Sequence, residues 1–399
     1  MTNSNIKTFL FSLFSGARIN LIGQLFGSEV FALLFLPYKK IFSFFRIYPF
    51  KQLTIPYLFF IIALIISDIF INNTGVDNFL RGWASVIFSL IQLIFLFTLF
   101  TKSENNYNIF LISSAISFFI FRPEMNSEFV LEGNDFKVYY MAGVNYLILF
   151  IGYYLGKKKA MYVFVLFFSY SLFCMIADAR SNGVVYFFTG LLLIIKMKKI
   201  KLTKDKLVMI FLLILIIGYC SYIIYVNSVL KGEIGGSNAQ QLKSLNNPYN
   251  PIELIVTGRK EALFPIYPIK DHFVFGLGSW AEDNSGKYIK LYNSMNDGQP
   301  RESKLIPAHS IFFATWLWSG ILGVISVVLI YFRAFKMAFT LYTKTNKRIL
   351  ILIIPLLFDQ IWNFFFSPMG HMRISSPFFL AITAIEFYKY IKYDKKTSL

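Results

Sequence analysis

Leu254-Ile255-Val256-Thr257-Gly258-Arg259-Lys260-Glu261 opens a stretch that passes through Phe275-Gly276-Leu277-Gly278-Ser279-Trp280. It closes at Pro307-Ala308-His309-Ser310, where an apolar run through Gly323 begins. Upstream, the sequence is a succession of apolar segments with short connections. Residues 229–307 are the long departure from that pattern, and they hold two arginines, several glycines and the histidine His272. The reading of the chain depends on what this polar stretch is inserted into.

The composition answers that question. The 399 residues are 56% hydrophobic and 15% charged, with 47 phenylalanines, where a soluble chain carries roughly 25% charged residues. An apolar segment of about 20 residues spans a bilayer as a helix. The expected fold is therefore all-α: one polytopic transmembrane domain over residues 1–399 with about 11 spans (10–12), and one large loop, 229–307, between the eighth and ninth. The net charge of +18 does not indicate nucleic acid, because the lysines form clusters between apolar segments, as cytoplasmic loops do. Cys174 and Cys220 fall inside expected spans and read as small apolar fillers.

The expected spans are 20–37, 54–72, 82–101, 108–121, 138–155, 160–177, 183–196, 206–228, 308–332, 349–366 and 374–391. Residues 1–19 suit an interfacial or re-entrant helix. Basic connections alternate with others: Lys39 to Lys51, Lys157 to Lys159, Lys196 to Lys206, Arg333 to Arg348, and the tail from Lys389. The loop Arg122 to Lys137 carries more acids than bases. This alternation places the long loop on the outer face and the C-terminus inside.

Against that trend, Arg81, Arg180, Arg259, His309 and Arg373 lie at outer ends of spans. Each has a bland reading, such as snorkelling to lipid phosphate or a structural ion pair like Asp178 with Arg180. Taken together they read as functional candidates. Helix N-termini favour anions, and three expected helix starts have a base beside them. Arg180 precedes Ser181 and Asn182 as caps. His309 follows Pro307 in a first turn. Arg373 precedes Ser375, Ser376 and Pro377. Convergence of these starts on one cavity would suit a diphosphate, with the long loop as its cover. Gly276-Leu277-Gly278 reads as a tight turn, and Phe312, Phe313, Trp316, Gly320 and Gly323 as a helix-packing stripe with His309 at its head. Trp280 and Trp316 suit either an aromatic belt or stacking on sugar. No metal-ligand spacing, Walker loop or dinucleotide fingerprint occurs, so neither a metal nor a cofactor is expected.

The order Ala-Arg-Ser (179–181), Thr-Gly-Arg (257–259), Gly-x-Gly (276–278), Ala-His-Ser (308–310) and Gly-x-x-Gly (320–323) resembles the O-antigen polymerase and O-antigen ligase superfamily of bacterial envelope glycosyltransferases. The likeness covers about Asp178 to Ile391. It implies a GT-C-like, metal-independent enzyme of the bacterial inner membrane, acting on the periplasmic face with an undecaprenyl-diphosphate-linked glycan as donor. In that light Arg180 and Arg259 contact the diphosphate and His309 is a general base. Arg373 matches a less regular basic position, and Arg81, Ser181, Trp280 and Trp316 are further substrate-binding candidates. His309-Ser310, in place of a His-x-His or His-Asn pattern, favours the polymerase branch over the ligase that transfers polymer to lipid A–core. Membrane lipid, a chain-length regulator and a flippase are the implied partners. A lipid-linked oligosaccharide flippase or transporter is the alternative of another class, and would draw on Glu29, Asp68 and Asp359 within spans.

Overall fold

A computed structural model describes the chain apart from residues 1, 21–22, 122–135, 137–139, 158–159, 178, 199–203, 234–238, 240–241, 296–300 and 398–399. The expected acidic loop 122–137 and the Asp178–Arg180 pair therefore lie largely outside the described residues. The protein is mostly helical. In chain order the elements are α1 (Asn3–Leu13), β1 (Arg18–Asn20), β2 (Gln24–Phe26), α2 (Gly27–Phe35), α3 (Ile41–Phe44) and α4 (Tyr48–Ile65), which continues through a wide π-turn, Ile66–Ile71. Next come α5 (Val76–Phe100), α6 (Asn105–Ile120), α7 (Met141–Leu155), α8 (Ala160–Ile176), α9 (Arg180–Met197) and α10 (Lys204–Leu230). The long loop carries α11 (Pro251–Gly258), α12 (Lys260–Leu263), α13 (Ile266–Asp271) and α14 (Lys287–Ser294). The chain closes with α15 (Ile311–Lys344), α16 (Leu350–Phe366), α17 (His371–Ile374) and α18 (Ser376–Thr397).

Among the described residues, three helical stretches are long and apolar enough to cross a membrane: Tyr48–Ile71, Val76–Phe100 and Ile311–Lys344. Met141–Leu155, Met161–Ile176 and Leu350–Phe366 are shorter and apolar. α4 lies along α15, α8 along α9, and α18 against α5, α15 and α16. Phe378, Phe379, Leu380, Ala381 and Ile382 of α18 are at most 1% exposed, which makes α18 the centre of the core.

The first expected span, 20–37, is not one helix. An antiparallel hairpin pairs Arg18 with Phe26, and α2 has only nine residues, about 13 Å of rise and too short to cross. The reason is Glu29. Its carboxylate accepts from the Phe26 amide at 2.8 Å and from Arg373 Nε at 2.6 Å, which anchors the start of α2 inside the bundle rather than letting the chain run through it.

Two expected caps also differ. α9 begins at Arg180 after Ala179, so Ser181 and Asn182 lie inside the first turn; Asn182 donates instead to Asn145 of α7 at 3.2 Å. The cap of α15 is Ser310, whose hydroxyl accepts from the Phe313 amide at 3.2 Å. Pro307 and His309 therefore precede the helix.

α15 is broken at Gly320, where φ is +63° and ψ −159°. The break leaves carbonyls of the preceding turn without helical donors. A segment of the long loop supplies them: the Leu277 amide donates to the Leu317 carbonyl at 2.6 Å and the Gly278 amide to the Trp318 carbonyl at 3.1 Å. In return the Ile321 amide donates to the Val274 carbonyl at 3.1 Å. Ser67, in the π-turn, adds a hydroxyl bond to the Trp318 carbonyl at 2.6 Å. A Cβ at Gly320 would overlap the Val274 carbonyl, and one at Gly276 would lie 2.6 Å from the Leu317 carbonyl. The Gly276-Leu277-Gly278 turn and Gly320 are thus two halves of one joint.

Asp68 locks the same joint from the π-turn. Its carboxylate accepts from the Ser279 hydroxyl at 2.7 Å, the Ser279 amide at 2.5 Å and the Trp83 indole at 2.8 Å. Gly320→Ala combines a left-handed backbone with a steric overlap, and we expect it to lower stability by about 2–4 kcal/mol. Gly218, in α10, has nothing within 4 Å of an added Cβ, so Gly218→Ala is expected to be neutral or slightly stabilising. Thermal unfolding of the two purified variants in one detergent checks the contrast.

Candidate functional site

The joint fixes the middle of the long loop, so the segments on either side reach the bundle at set positions. Upstream, Asn250 caps α11 by accepting from the Ile252 amide at 3.0 Å, and Pro251 occupies its first turn. The helix ends at Gly258, leaving Arg259 at a helix–helix corner with φ −126°. Its guanidinium lies 4.9 Å from the Trp362 ring centroid and 5.6 Å from that of Phe366, both near the end of α16. Arg259 is half-buried, and among the described residues no carboxylate is paired with it. Burial lowers its pKa from the ordinary arginine value, yet the group stays cationic at any physiological pH. A partly desolvated guanidinium on two aromatic faces is prepared for an anion.

Downstream, the loop returns to the same place. The His309 amide donates to the Glu261 carbonyl at 3.1 Å, and His309 Nδ1 meets the Glu261 carboxylate. That carboxylate also accepts from the Tyr292 hydroxyl at 3.0 Å and lies 3.6 Å from Arg301 Nη1. With Nδ1 donating to Glu261, Nε2 is left as the acceptor, on a side chain 56% exposed. An imidazole oriented by a carboxylate in this way is chemically able to act as a general base. The pKa of His371, in α17, is lowered by burial and by the charge of His309.

Phe273 packs edge-on to Trp316 at 4.9 Å. Trp316 follows Phe312 at 5.9 Å, and Phe312 meets Phe365 at 6.3 Å. An aromatic face therefore runs from the joint towards the rings under Arg259.

The other expected residues are distributed around this centre. Trp316 lies on the aromatic face and donates its indole to the Phe273 carbonyl at 3.0 Å. Trp280 lies tilted against Trp318 at 5.7 Å, with the Arg81 guanidinium 5.9 Å from its ring; both flank the joint. Arg180 donates to the Tyr225 hydroxyl at 2.8 Å and stacks on that ring at 4.5 Å. Tyr225 packs on the same small cluster as Leu254 of α11, which links Arg180 to the helix that precedes Arg259. Ser181 stands in the first turn of α9, partly exposed.

Arg373 is placed otherwise. It is 9% exposed, paired to Glu29, and donates to the Gln24 carbonyl at 2.8 Å. Its charge is held inside the bundle by Glu29, whereas His309 meets Glu261, two residues after Arg259. Among the described residues no three His, Cys, Asp or Glu side chains gather as metal ligands would.

Sequence reasoning missed Glu261 and Tyr292. Glu261 stands two residues after Arg259, but only the return of the loop shows that it meets His309. No family model matches the chain, and no curated protein matches it significantly.

The Glu261 carboxyl is held below its ordinary range first by the His309 hydrogen bond, against burial, with Tyr292 and Arg301 assisting. A carboxyl depressed on folding contributes stability above its unfolded value, and that contribution is lost as pH falls through the folded value. We therefore expect wild type to be more thermally stable than Glu261→Gln at neutrality. The difference in unfolding temperature should shrink as pH falls below the ordinary glutamate value of ~4.3, and melting curves of both proteins across that range measure it.

Proposed function

We propose that the protein is an O-antigen or related surface-polysaccharide polymerase: an inverting glycosyltransferase of the bacterial inner membrane that joins undecaprenyl-diphosphate-linked repeat units. In this reading the chain has about 11 spans and a GT-C-like arrangement, and the end bearing the long loop faces the periplasm. The observation that carries the reading is the His309–Glu261 pair beside Arg259, an anion-ready guanidinium, at the two ends of one docked loop.

The acceptor sugar hydroxyl gives its proton to His309 Nε2 as its oxygen attacks the anomeric carbon of the donor glycan. The bond from that carbon to the diphosphate oxygen breaks, and its electron pair leaves on undecaprenyl diphosphate. Direct displacement inverts the anomeric centre. Arg259 stabilises the charge developing on the leaving group, with Arg180 approaching through the Tyr225 side of α11. The exposed aromatic rings offer stacking surface to sugars, and the loop limits the water that would otherwise hydrolyse the donor.

The intramembrane carboxylates give less support to a transporter. Glu29 is paired with Arg373, Asp68 holds the loop joint, and Asp359 accepts from Gln360 at 3.1 Å and Asn363 at 2.9 Å.

Deleting the gene in its native host should leave lipopolysaccharide capped with a single repeat. Bare core with accumulated lipid-linked polymer would indicate the ligase instead, and an unchanged ladder would exclude both. In complementation of that strain, Arg259→Ala and Arg180→Ala should abolish chain extension at normal membrane levels of protein. His309→Ala should slow extension by about 10²-fold or more, and full activity in that variant would remove the general-base role.

A further inference from the structure

The end of α16 away from Arg259 carries a second, separate feature. α16 has 17 residues, so its two ends stand about 25 Å apart. Just before its first residue, Arg348 borders a groove of about 390 Å³ between α6 and α7, a size typical of small-ligand sites. One part of the groove is apolar, lined by Ile109, Ile112 and Phe150; Ile112 is 37% exposed. The rim is polar, with Asn105 and Asn108 from α6 and the bases Lys157 and Arg348.

The bases are held in place. The Arg348 guanidinium lies 3.8 Å from the ring centroid of Tyr153, itself 3% exposed. Gly156 makes room for it, since a Cβ there would sit 3.2 Å from Arg348 Cγ. Lys157 lies 5.8 Å from the Tyr154 ring centroid. The acids nearby are Glu104 and Glu386, and Lys389 occupies both: its Nζ lies 2.9 Å from the Glu104 carboxylate and 2.7 Å from that of Glu386. Among the described residues neither Lys157 nor Arg348 has a carboxylate in salt-bridge range. Two cations above an apolar slot, beside lysine-rich connections, match the charge and shape of an anionic lipid.

We propose that this groove binds an anionic phospholipid of the leaflet facing the basic connections. The headgroup phosphate lies between Lys157 and Arg348, and an acyl chain lies along Ile109, Ile112 and Phe150. The site is independent of the glycosyltransferase reading, because it rests on neither Arg259 nor His309.

Native mass spectrometry of the full-length protein in detergent tests it, with palmitoyl-oleoyl phosphatidylglycerol and phosphatidylcholine offered at equal concentration. Wild type should retain phosphatidylglycerol in preference. The double variant Lys157→Gln/Arg348→Gln should reduce that retention by about tenfold or more. Ile112→Trp, which fills the slot without changing charge, should reduce it as well, and it covers the case in which loss of the Arg348–Tyr153 stack unfolds this end. Lys243→Gln, in the long loop, should bind as wild type does. Equal retention of the two lipids, wild-type retention by Ile112→Trp, an equal loss in Lys243→Gln, or full displacement by millimolar inorganic phosphate would each overturn the proposal.

Discussion

A helix broken inside an apolar bundle must find partners for its orphaned carbonyls, and the break at Gly320 sets that demand here. Water is absent from the interior of a bilayer, and an unpaired backbone group costs free energy there. The protein meets the demand with its own loop. The Val274 carbonyl and the Leu277 and Gly278 amides exchange bonds with the two sides of the break, and Ser67 and Asp68 in the π-turn complete the set. Two irregularities in different helices and a glycine turn in a loop are therefore parts of one structure, each unfavourable alone.

This joint also fixes where the described arms on either side of it meet the bundle. From a fixed middle, the upstream arm delivers Arg259 to Trp362 and Phe366, and the downstream arm returns His309 to Glu261. The backbone bond from His309 to Glu261 closes the circuit, so the base and its orienting carboxylate are set by main-chain geometry as well as by their side chains. The sequence suggested a cover over converging helix starts. The segment around 274–279 is built into the bundle, and the arms either side of it carry the candidate site residues Arg259 and His309.

Hydropathy and charge made much of this legible beforehand. Most of the apolar segments are helices, and of the residues that stood out in the polar stretch, Arg259 lies against Trp362 and Phe366 and His309 against Glu261. What failed to show were pairings between distant residues. Glu29 and Arg373 are 344 positions apart, and without that pairing residues 20–37 read as a greasy span and Arg373 as an available cation. Gly320 looked like helix packing because a glycine that breaks a helix and one that admits a neighbour leave the same mark in a sequence. Glu261 carries no mark of its own in the sequence, because its partner His309 is chosen by the fold of the loop. Cap positions shifted for a local reason: Ser310 bonds both the Phe313 amide and the Phe364 carbonyl, so the helix starts there and His309 is left outside, with its imidazole exposed.

The docking of the loop into the broken helix is the claim on which both the fold and the site rest, and hydrogen–deuterium exchange of the full-length protein reads it directly. Peptides covering residues 273–281 and 317–322 should be protected to the level of the buried helix α18, because the Leu277, Gly278 and Ile321 amides are bonded across the joint. Exchange of residues 273–281 at the rate of an exposed loop would contradict the account.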